Sequence, residues 1–264
     1  MDPGIYDGID EMLYHADPAL SHSGMKTLLD CPARYAWERE NPPAPKDVFD
    51  LGSAVHAEVL GVGAPVARVD ADDWRTKAAQ QTRADLRAEG KIPLLHKDYD
   101  RVRGMTEAVL AHKGARIIAE STDAIEQSMW WHDDRFDVDL RGRVDLVASY
   151  ADGMPVLVDL KTSTSANPDE FVKSVYRYGY DLQRAVYCDG WATLAGLVPD
   201  FLFIVVEKDP PYPVLTARVD DAAIRSGEAK FEQALCVFND CRALGHWPAY
   251  GDDIVTLESP RWAS

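Results

Sequence analysis

Basic side chains are scarce. Against 44 aspartates and glutamates the 264 residues set only 28 lysines and arginines, a formal charge of −16. This counts against a nucleic-acid partner, since proteins that grip polyanions are usually basic or carry a basic face, and any polyanion site must be a local patch within an acidic surface. Cysteine is also sparse: four residues, at 31, 188, 236 and 241, expected as reduced thiols in a cytosolic chain. No apolar run reaches membrane-spanning length, and Met1-Asp2-Pro3 starts no signal peptide, so a cytosolic protein is expected. There is no internal repeat and no low-complexity segment. What is present, 46% hydrophobic and 27% charged residues, suits a soluble globular chain long enough to bury a sizeable core.

The most informative stretch is residues 140–161. Leu140–Ser149 and Val156–Lys161 read as two Val- and Leu-rich strands, with Asp152-Gly153 between them as a hairpin signal. Three charges, Asp145, Asp159 and Lys161, interrupt these apolar strands, and a carboxylate beside a core is costly unless it is paired or binds metal. Asp159 and Lys161 share a face, being two apart in a strand. A two-residue turn at Asp152-Gly153 would put Asp145 on the face opposite Asp159. A three-residue loop, Ala151-Asp152-Gly153, with glycine in the left-handed third position, would pair Asp145 with Asp159. The sequence permits the second register without requiring it. Two carboxylates with a lysine beside them suit a divalent cation and an anionic substrate.

Residues 1–20 read as irregular. Ser21 or Ser23 caps a helix that carries Met25, Leu28 and Leu29, and Pro32 restarts a second one that Asn41-Pro42-Pro43-Ala44-Pro45 ends. A helix from about Phe49 to Leu60 holds Gly52 and His56 four apart; alone, His56 would be a core or partly exposed histidine. The charged stretch 72–89, with Arg75, Lys77, Arg83 and Arg87, is a helix with a solvated face, broken by Gly90-Lys91-Ile92-Pro93. Another helix spans Lys97–His112. Ala124–Trp131 is a strand that turns at Asp133-Asp134-Arg135 into the one holding Asp145, which makes a three-stranded antiparallel meander. Glu126 on it either joins the acidic pair or is a surface carboxylate. Helices follow from Pro168 and over Asp181–Leu194, the latter with Gln183 and Tyr187 four apart on one face. Phe201–Val206 is a buried strand, Val214–Val219 a short edge strand, and Asp220–Leu244 the last long helix. The expected organisation is one domain over 1–264: a helical elaboration at about 20–115, a core at about 120–207, and a C-terminal helix and tail at 208–264.

Helices, a meander, helices and a strand, with Asp145 and then Asp159-Leu160-Lys161, resemble the PD-(D/E)XK nuclease core, an αβββαβ arrangement of α/β type around a mixed sheet. Val144 stands where the family name has its first proline. The wider series Leu20-Ser21-His22-Ser23-Gly24, Cys31-Pro32-Ala33-Arg34-Tyr35, Gly52-x-x-x-His56, Arg75-Thr76-Lys77, Glu126-Gln127-Ser128, Arg143-x-Asp145, Asp159-x-Lys161-Thr162 and Gln183-x-x-x-Tyr187 resembles RecE-type (exonuclease VIII-like) phage and prophage exonucleases, over roughly Ser21 to Val206. The resemblance implies that His56, Asp145, Asp159 and the Leu160 carbonyl ligate Mg²⁺, with Mn²⁺ also compatible. Asp145, Asp159 and Lys161, with Glu126, Gln183 and Tyr187, make up the implied catalytic set, and Arg75, Lys77 and Arg143 are the implied DNA contacts. It further implies a ring-shaped homo-oligomer in a bacterial host's cytoplasm. Such a ring would digest duplex DNA ends 5′ to 3′ and leave a 3′ overhang for a RecT-like single-strand annealing protein.

Two other readings stand beside it. Cys31-Pro32 lies where iron–sulfur nucleases of the CRISPR-adaptation or AddB kind place their first cluster cysteine. Cys188, Cys236 and Cys241 do not match the spacing of the remaining ligands, and no cluster is expected. A nuclease-fold protein that binds without cleaving, an acidic mimic of DNA, would account for the charge but not for the intact His56, Asp145, Asp159, Lys161 and Gln183.

Overall fold

The computed structural model describes residues 1–41, 51–251 and 253–259. At its centre is a mixed sheet flanked by helices on both faces. Strands β5 (Thr122–Asp133), β6 (Val138–Ser149) and β7 (Pro155–Ser163) form the antiparallel meander. Helices α8 (Pro168–Tyr178) and α9 (Tyr180–Ala195) then carry the chain across to β8 (Asp200–Glu207), parallel to β7, and β9 (Val214–Ala217) closes that edge antiparallel. Antiparallel neighbours need only a tight turn, whereas the parallel β7–β8 pair needs a helical crossover.

The sheet divides two apolar layers. On one side Leu140, Leu157, Phe201, Phe203 and Val205 meet α2 (His22–Asp30), α3 (Pro32–Glu40), α9 and the long α10 (Asp221–Leu244). On the other, Leu146, Val156, Val158, Leu160 and Ile204 meet α4 (Leu51–Leu60), α6 (His96–Ala111) and α7 (Lys113–Glu120). Alternation along β7 and β8 sends odd and even residues to opposite layers, as a strand buried on both faces requires.

The local signals in the sequence hold where they were strongest. Ser21 is the cap of α2, its Oγ accepting from the Gly24 N–H at 3.2 Å, and Pro32 is the first residue of α3. The C-terminal halves of the proline run and the start of the next helix, Pro42–Asp50, lie outside the described residues. Other expectations need correcting. Residues 1–20 are not irregular: β1 (Gly4–Tyr6) pairs antiparallel with β5. Helix α1 (Glu11–Ala16) is capped by Asp10, which accepts from the Met12 and Leu13 N–H groups. Two residues, β2 (Leu20–Ser21), run parallel to β6. These pieces are too short to show a period. The charged helix begins later than expected, α5 (Lys77–Ala88). The Gly90–Pro93 break leads into β4 (Ile92–Leu95), which pairs parallel with β3 (Val66–Val69) in a separate two-stranded sheet. Pro93 argues against a strand in a sheet interior but is tolerated at such an edge.

Candidate active site

The β6–β7 hairpin adopts the three-residue loop. Ser149 pairs with Pro155, the Tyr150 N–H donates to the Met154 carbonyl at 2.9 Å, and Gly153 stands at φ +84°. The ladder runs to Leu146 opposite Val158 and stops there. One step further, the same register sets Asp145 opposite Asp159. Strand β7 stays paired with β8 through Ser163, so beyond Val158 its edge toward β6 opens. In that gap the Leu160 N–H donates to Asp145 Oδ2 at 2.7 Å, a side chain taking the place of a ladder carbonyl. The Leu160 carbonyl meets His56 Nε2 at 2.6 Å, and His56 Nδ1 lies 3.6 Å from Asp145 Oδ2. Helix α4 brings His56 to this point from 104 residues away in sequence.

Asp145 lies where β6 changes face. Val144 and Val147 belong to the same apolar layer, while Leu146 and Ala148 belong to the other. Period-two alternation therefore breaks between Val144 and Val147. Across the ladder, Ile125 and Gln127 pair with Leu146 and Val144, and Glu126 between them holds φ +50°, a left-handed conformation for a residue that pays for it with strain. Glu126 thus stands beside Asp145 in position, on the irregularity that turns Asp145 toward Asp159.

Asp159 is 2% exposed. Its Oδ1 accepts from Gln183 Nε2 of α9. Its Oδ2 has no aligned hydrogen bond, although Lys161 Nζ lies 2.6 Å away as an ion pair. The Lys161 ammonium also sits 4.6 Å over the Tyr180 ring. Burial would lower the Lys161 pKa, but the charges of Asp159 and Asp145 outweigh it and hold the lysine above its ordinary value. Burial, then the neighbouring Asp159 charge, push Asp145 up to about 6; His56, Lys161 and the Leu160 N–H pull it back only in part. Two buried carboxylates competing for one lysine call for a further cation.

Among the described residues no group of three or more His, Cys, Asp or Glu side chains is preassembled around a metal position. The donors nonetheless fit a hard divalent ion: two carboxylates, a backbone carbonyl and one imidazole gather at the gap, with an unaligned buried oxygen on Asp159. The raised pKa of Asp145 gives a prediction. In the folded, metal-free protein Asp145 keeps its proton up to a pH of about 6, whereas in the unfolded chain it ionises at its ordinary lower value. Its contribution is therefore present at low pH and lost as pH rises through about 6, on the order of 2–3 kcal/mol. In EDTA, thermal melts should show this decline, Mg²⁺ should reverse it above that pH, and Asp145→Asn should flatten both responses. A wild-type pH profile indifferent to Mg²⁺ would contradict the assignment.

The remaining expected residues are less uniformly placed. Tyr187 lies in the interior, 6% exposed. Its ring packs where a Cβ on Gly142 would come within 3.0 Å, and lies edge-on to His22 at 5.8 Å. Burial, chiefly, raises its hydroxyl pKa well above the usual value, so it supports α9 against β6 as a neutral group. Arg143 is committed elsewhere: its Nε donates to Ser128 Oγ at 2.9 Å, its Nη2 to the Ile9 carbonyl at 2.8 Å, and it covers the Tyr14 ring at 4.3 Å. Arg75, its side chain 91% exposed, pairs with Asp73 at 3.7 Å, and Lys77 opens α5 in solvent. None of these three cations lines the cleft at the gap.

That cleft reaches His56, Leu160 and Lys161, and continues along Thr162-Ser163-Thr164 to Ser174, Tyr178, Tyr180 and Lys208. Apart from Thr162, sequence reasoning missed these outer residues, because they gather from the end of β7, from α8, from the start of α9 and from the turn after β8. It also gave no role to His22, whose imidazole is held neutral with a pKa of about 3 by burial and by the charges of Lys161 and Lys26. The four cysteines are spread over the α2–α3 junction and two helices. Cys31 precedes α3, Cys188 lies in α9, and Cys236 and Cys241 lie in α10.

Residues 21–260 match a family model described as a PDDEXK-like domain of unknown function (DUF3799). Among solved structures, the "Putative exonuclease" from Eubacterium rectale superposes with a TM-score of 0.61 at 15% identity, over 97% of this chain and 96% of that one. The SSO0001 structure gives a TM-score of 0.36 at 14% identity, over 89% and 81% of the two chains, too distant to bear on the site. No curated protein matches the sequence.

Proposed function

Because the chain belongs to this PDDEXK-like family, we propose that it is a metal-dependent deoxyribonuclease, with Asp145, Asp159 and Lys161 at its centre. The observation that carries the reading is the gap in the β6–β7 ladder, where Asp145 stands one register step from the Leu146–Val158 pair and Lys161 Nζ is 2.6 Å from Asp159 Oδ2.

In this reading Asp145, Asp159, the Leu160 carbonyl and His56 hold Mg²⁺, with Mn²⁺ able to replace it. The bound ion would supply Lewis acidity to the scissile phosphate and acidify a water. Gln183 fixes the orientation of Asp159 through its amide N–H. Lys161, which reaches the cleft, stabilises the negative charge that develops on the phosphate. Glu126 holds the backbone irregularity that aims Asp145, and Tyr187 holds α9 in place.

The finer reading rests on the RecE-type resemblance. It is an exonuclease that enters at duplex ends, proceeds 5′ to 3′ and leaves a 3′ strand for an annealing protein, working as a closed homo-oligomer in a bacterial host's cytoplasm. Among the described residues no helix is long and apolar enough to cross a membrane. End-labelled linear duplex and covalently closed circles, each incubated with Mg²⁺, test it. The 5′ label should be released first, the 3′ strand should persist, and circles should survive. Cleavage of closed circles would contradict exonuclease action, and prior loss of the 3′ label would contradict the direction.

A further inference from the structure

The chain's charge is −16, yet among the described residues no aspartate or glutamate lines the cleft that leads to Lys161, although Asp159 lies 2.6 Å from the Lys161 ammonium. Its charged lining residues are Lys161 and Lys208, and its walls carry the hydroxyls of Thr162, Ser163, Thr164 and Ser174. Lys208 has no acidic partner among the described residues, and neither has Lys26, whose Cδ lies 3.5 Å from where a Cβ on Gly179 would stand, at the α8–α9 joint. Away from the Asp159–Lys161 pair, the cleft wall thus carries Lys208 and hydroxyls rather than the chain's acidic surplus. At the same joint two tyrosines are presented together. The Tyr178 and Tyr180 rings are 5.8 Å apart and tilted by 36°. Tyr180 packs inward on Phe203 and under the Lys161 ammonium. Tyr178 remains 44% exposed, with the Arg177 guanidinium 5.7 Å from its ring.

An aromatic ring at the rim of a cation-lined, hydroxyl-walled cleft is what a nucleic-acid strand with unstacked bases can use. Bases inside a duplex offer no free face to Tyr178, and the cleft, about 370 Å³, has the size of a small-ligand pocket rather than of a double helix. We infer that the cleft is a single-strand channel. A nucleobase freed from the duplex stacks on Tyr178, Lys208 neutralises a backbone phosphate, and the hydroxyls of residues 162–164 guide the chain toward Lys161. The inference rests on the nuclease reading for what happens at Lys161, but the strand site stands on its own residues. It also gives a place to residues that the sequence left without one: a duplex end must fray before its strand reaches the carboxylates.

The test is fluorescence anisotropy with a short labelled DNA single strand in EDTA, so that binding is read without hydrolysis. Tyr178→Ala should weaken binding on the order of tenfold, and Tyr178→Phe, which keeps the stacking face, should bind as wild type. Lys208→Ala should weaken binding and reduce the slope of log K against log salt by about 0.7, the loss of one phosphate contact on a single strand. Tyr178 is exposed enough that its loss should leave the circular dichroism melt unchanged. A folded Tyr178→Ala protein that binds the strand as wild type does, or an unchanged salt slope for Lys208→Ala, overturns the channel. The two readings fail separately. Strand binding that depends on Tyr178 in a protein that never cleaves would sink the nuclease assignment alone. Metal-dependent cleavage with binding indifferent to Tyr178 would sink the channel alone.

Discussion

Asp159→Asn should abolish Mg²⁺-dependent DNA hydrolysis while the protein stays folded. The substitution keeps the shape of a side chain that is 2% exposed, removes its charge and puts an amide NH2 in place of one carboxylate oxygen. The amide oxygen can still accept from Gln183 Nε2, the bond that ties β7 to α9. What is lost is half of the anionic pair that would hold a divalent ion, and with it several kcal/mol of transition-state stabilisation, about 10³-fold or more in rate. Two effects on stability oppose each other. Lys161 loses its partner at 2.6 Å, which destabilises, and Asp145 loses the neighbouring charge that, after burial, helps to raise its pKa, which stabilises. The net change in melting temperature should be small beside the change in rate. Cleavage time courses on linear duplex, with dichroism melts of the same samples, measure both. A folded Asp159→Asn protein that cleaves like wild type would remove the site assignment.

Lys161→Ala separates catalysis from packing. Lys161 has two structural ties, the ion pair with Asp159 and the contact 4.6 Å over Tyr180, so a purely structural role has definite content. Removing one partner of a buried pair leaves Asp159 uncompensated, and if that were all, the loss would fall on thermal stability with cleavage largely retained. If Lys161 also meets the charge developing on the phosphate, turnover should fall about 10²-fold or more while DNA affinity changes several-fold at most. Single-turnover rates and binding constants, measured below the melting temperature of the variant, distinguish the two. A loss in affinity with turnover unchanged would assign Lys161 to ground-state binding.

The same hairpin illustrates what the sequence made legible. Valines and leucines on either side of Ala151-Asp152-Gly153 located β6 and β7 to within a few residues, and a glycine at the third loop position allowed the register that pairs Asp145 with Asp159. The side on which Asp145 emerges was not legible. Strict alternation would keep it with Arg143, and the face change depends on Glu126 at φ +50°, a conformation that glycine would advertise and glutamate does not. Spacing of four on α9 showed only that Gln183 and Tyr187 share a face; it was the resemblance that pointed Gln183 to the site, where its Nε2 donates to Asp159 Oδ1. The DNA-contact expectations found no place at the cleft. Arg143 was implied as a DNA contact by the resemblance alone, but the N-terminal segment, with no period of its own, folds over it through the Ile9 carbonyl and the Tyr14 ring. The cleft is invisible in any window, since β7, α8 and the turn at Lys208 meet only when β8 lies parallel to β7.

The central claim is that these side chains hold a divalent ion and hydrolyse DNA, and one measurement tests it most directly. Purified wild-type protein is incubated with linear duplex DNA in Mg²⁺ and, in parallel, in EDTA, with acid-soluble nucleotide followed over time. The account predicts steady release in Mg²⁺, none in EDTA, and restoration when excess Mg²⁺ is added back to the chelated sample. A folded protein that binds DNA and releases no nucleotide with Mg²⁺ or Mn²⁺ would contradict it and favour a nuclease fold that binds without cutting.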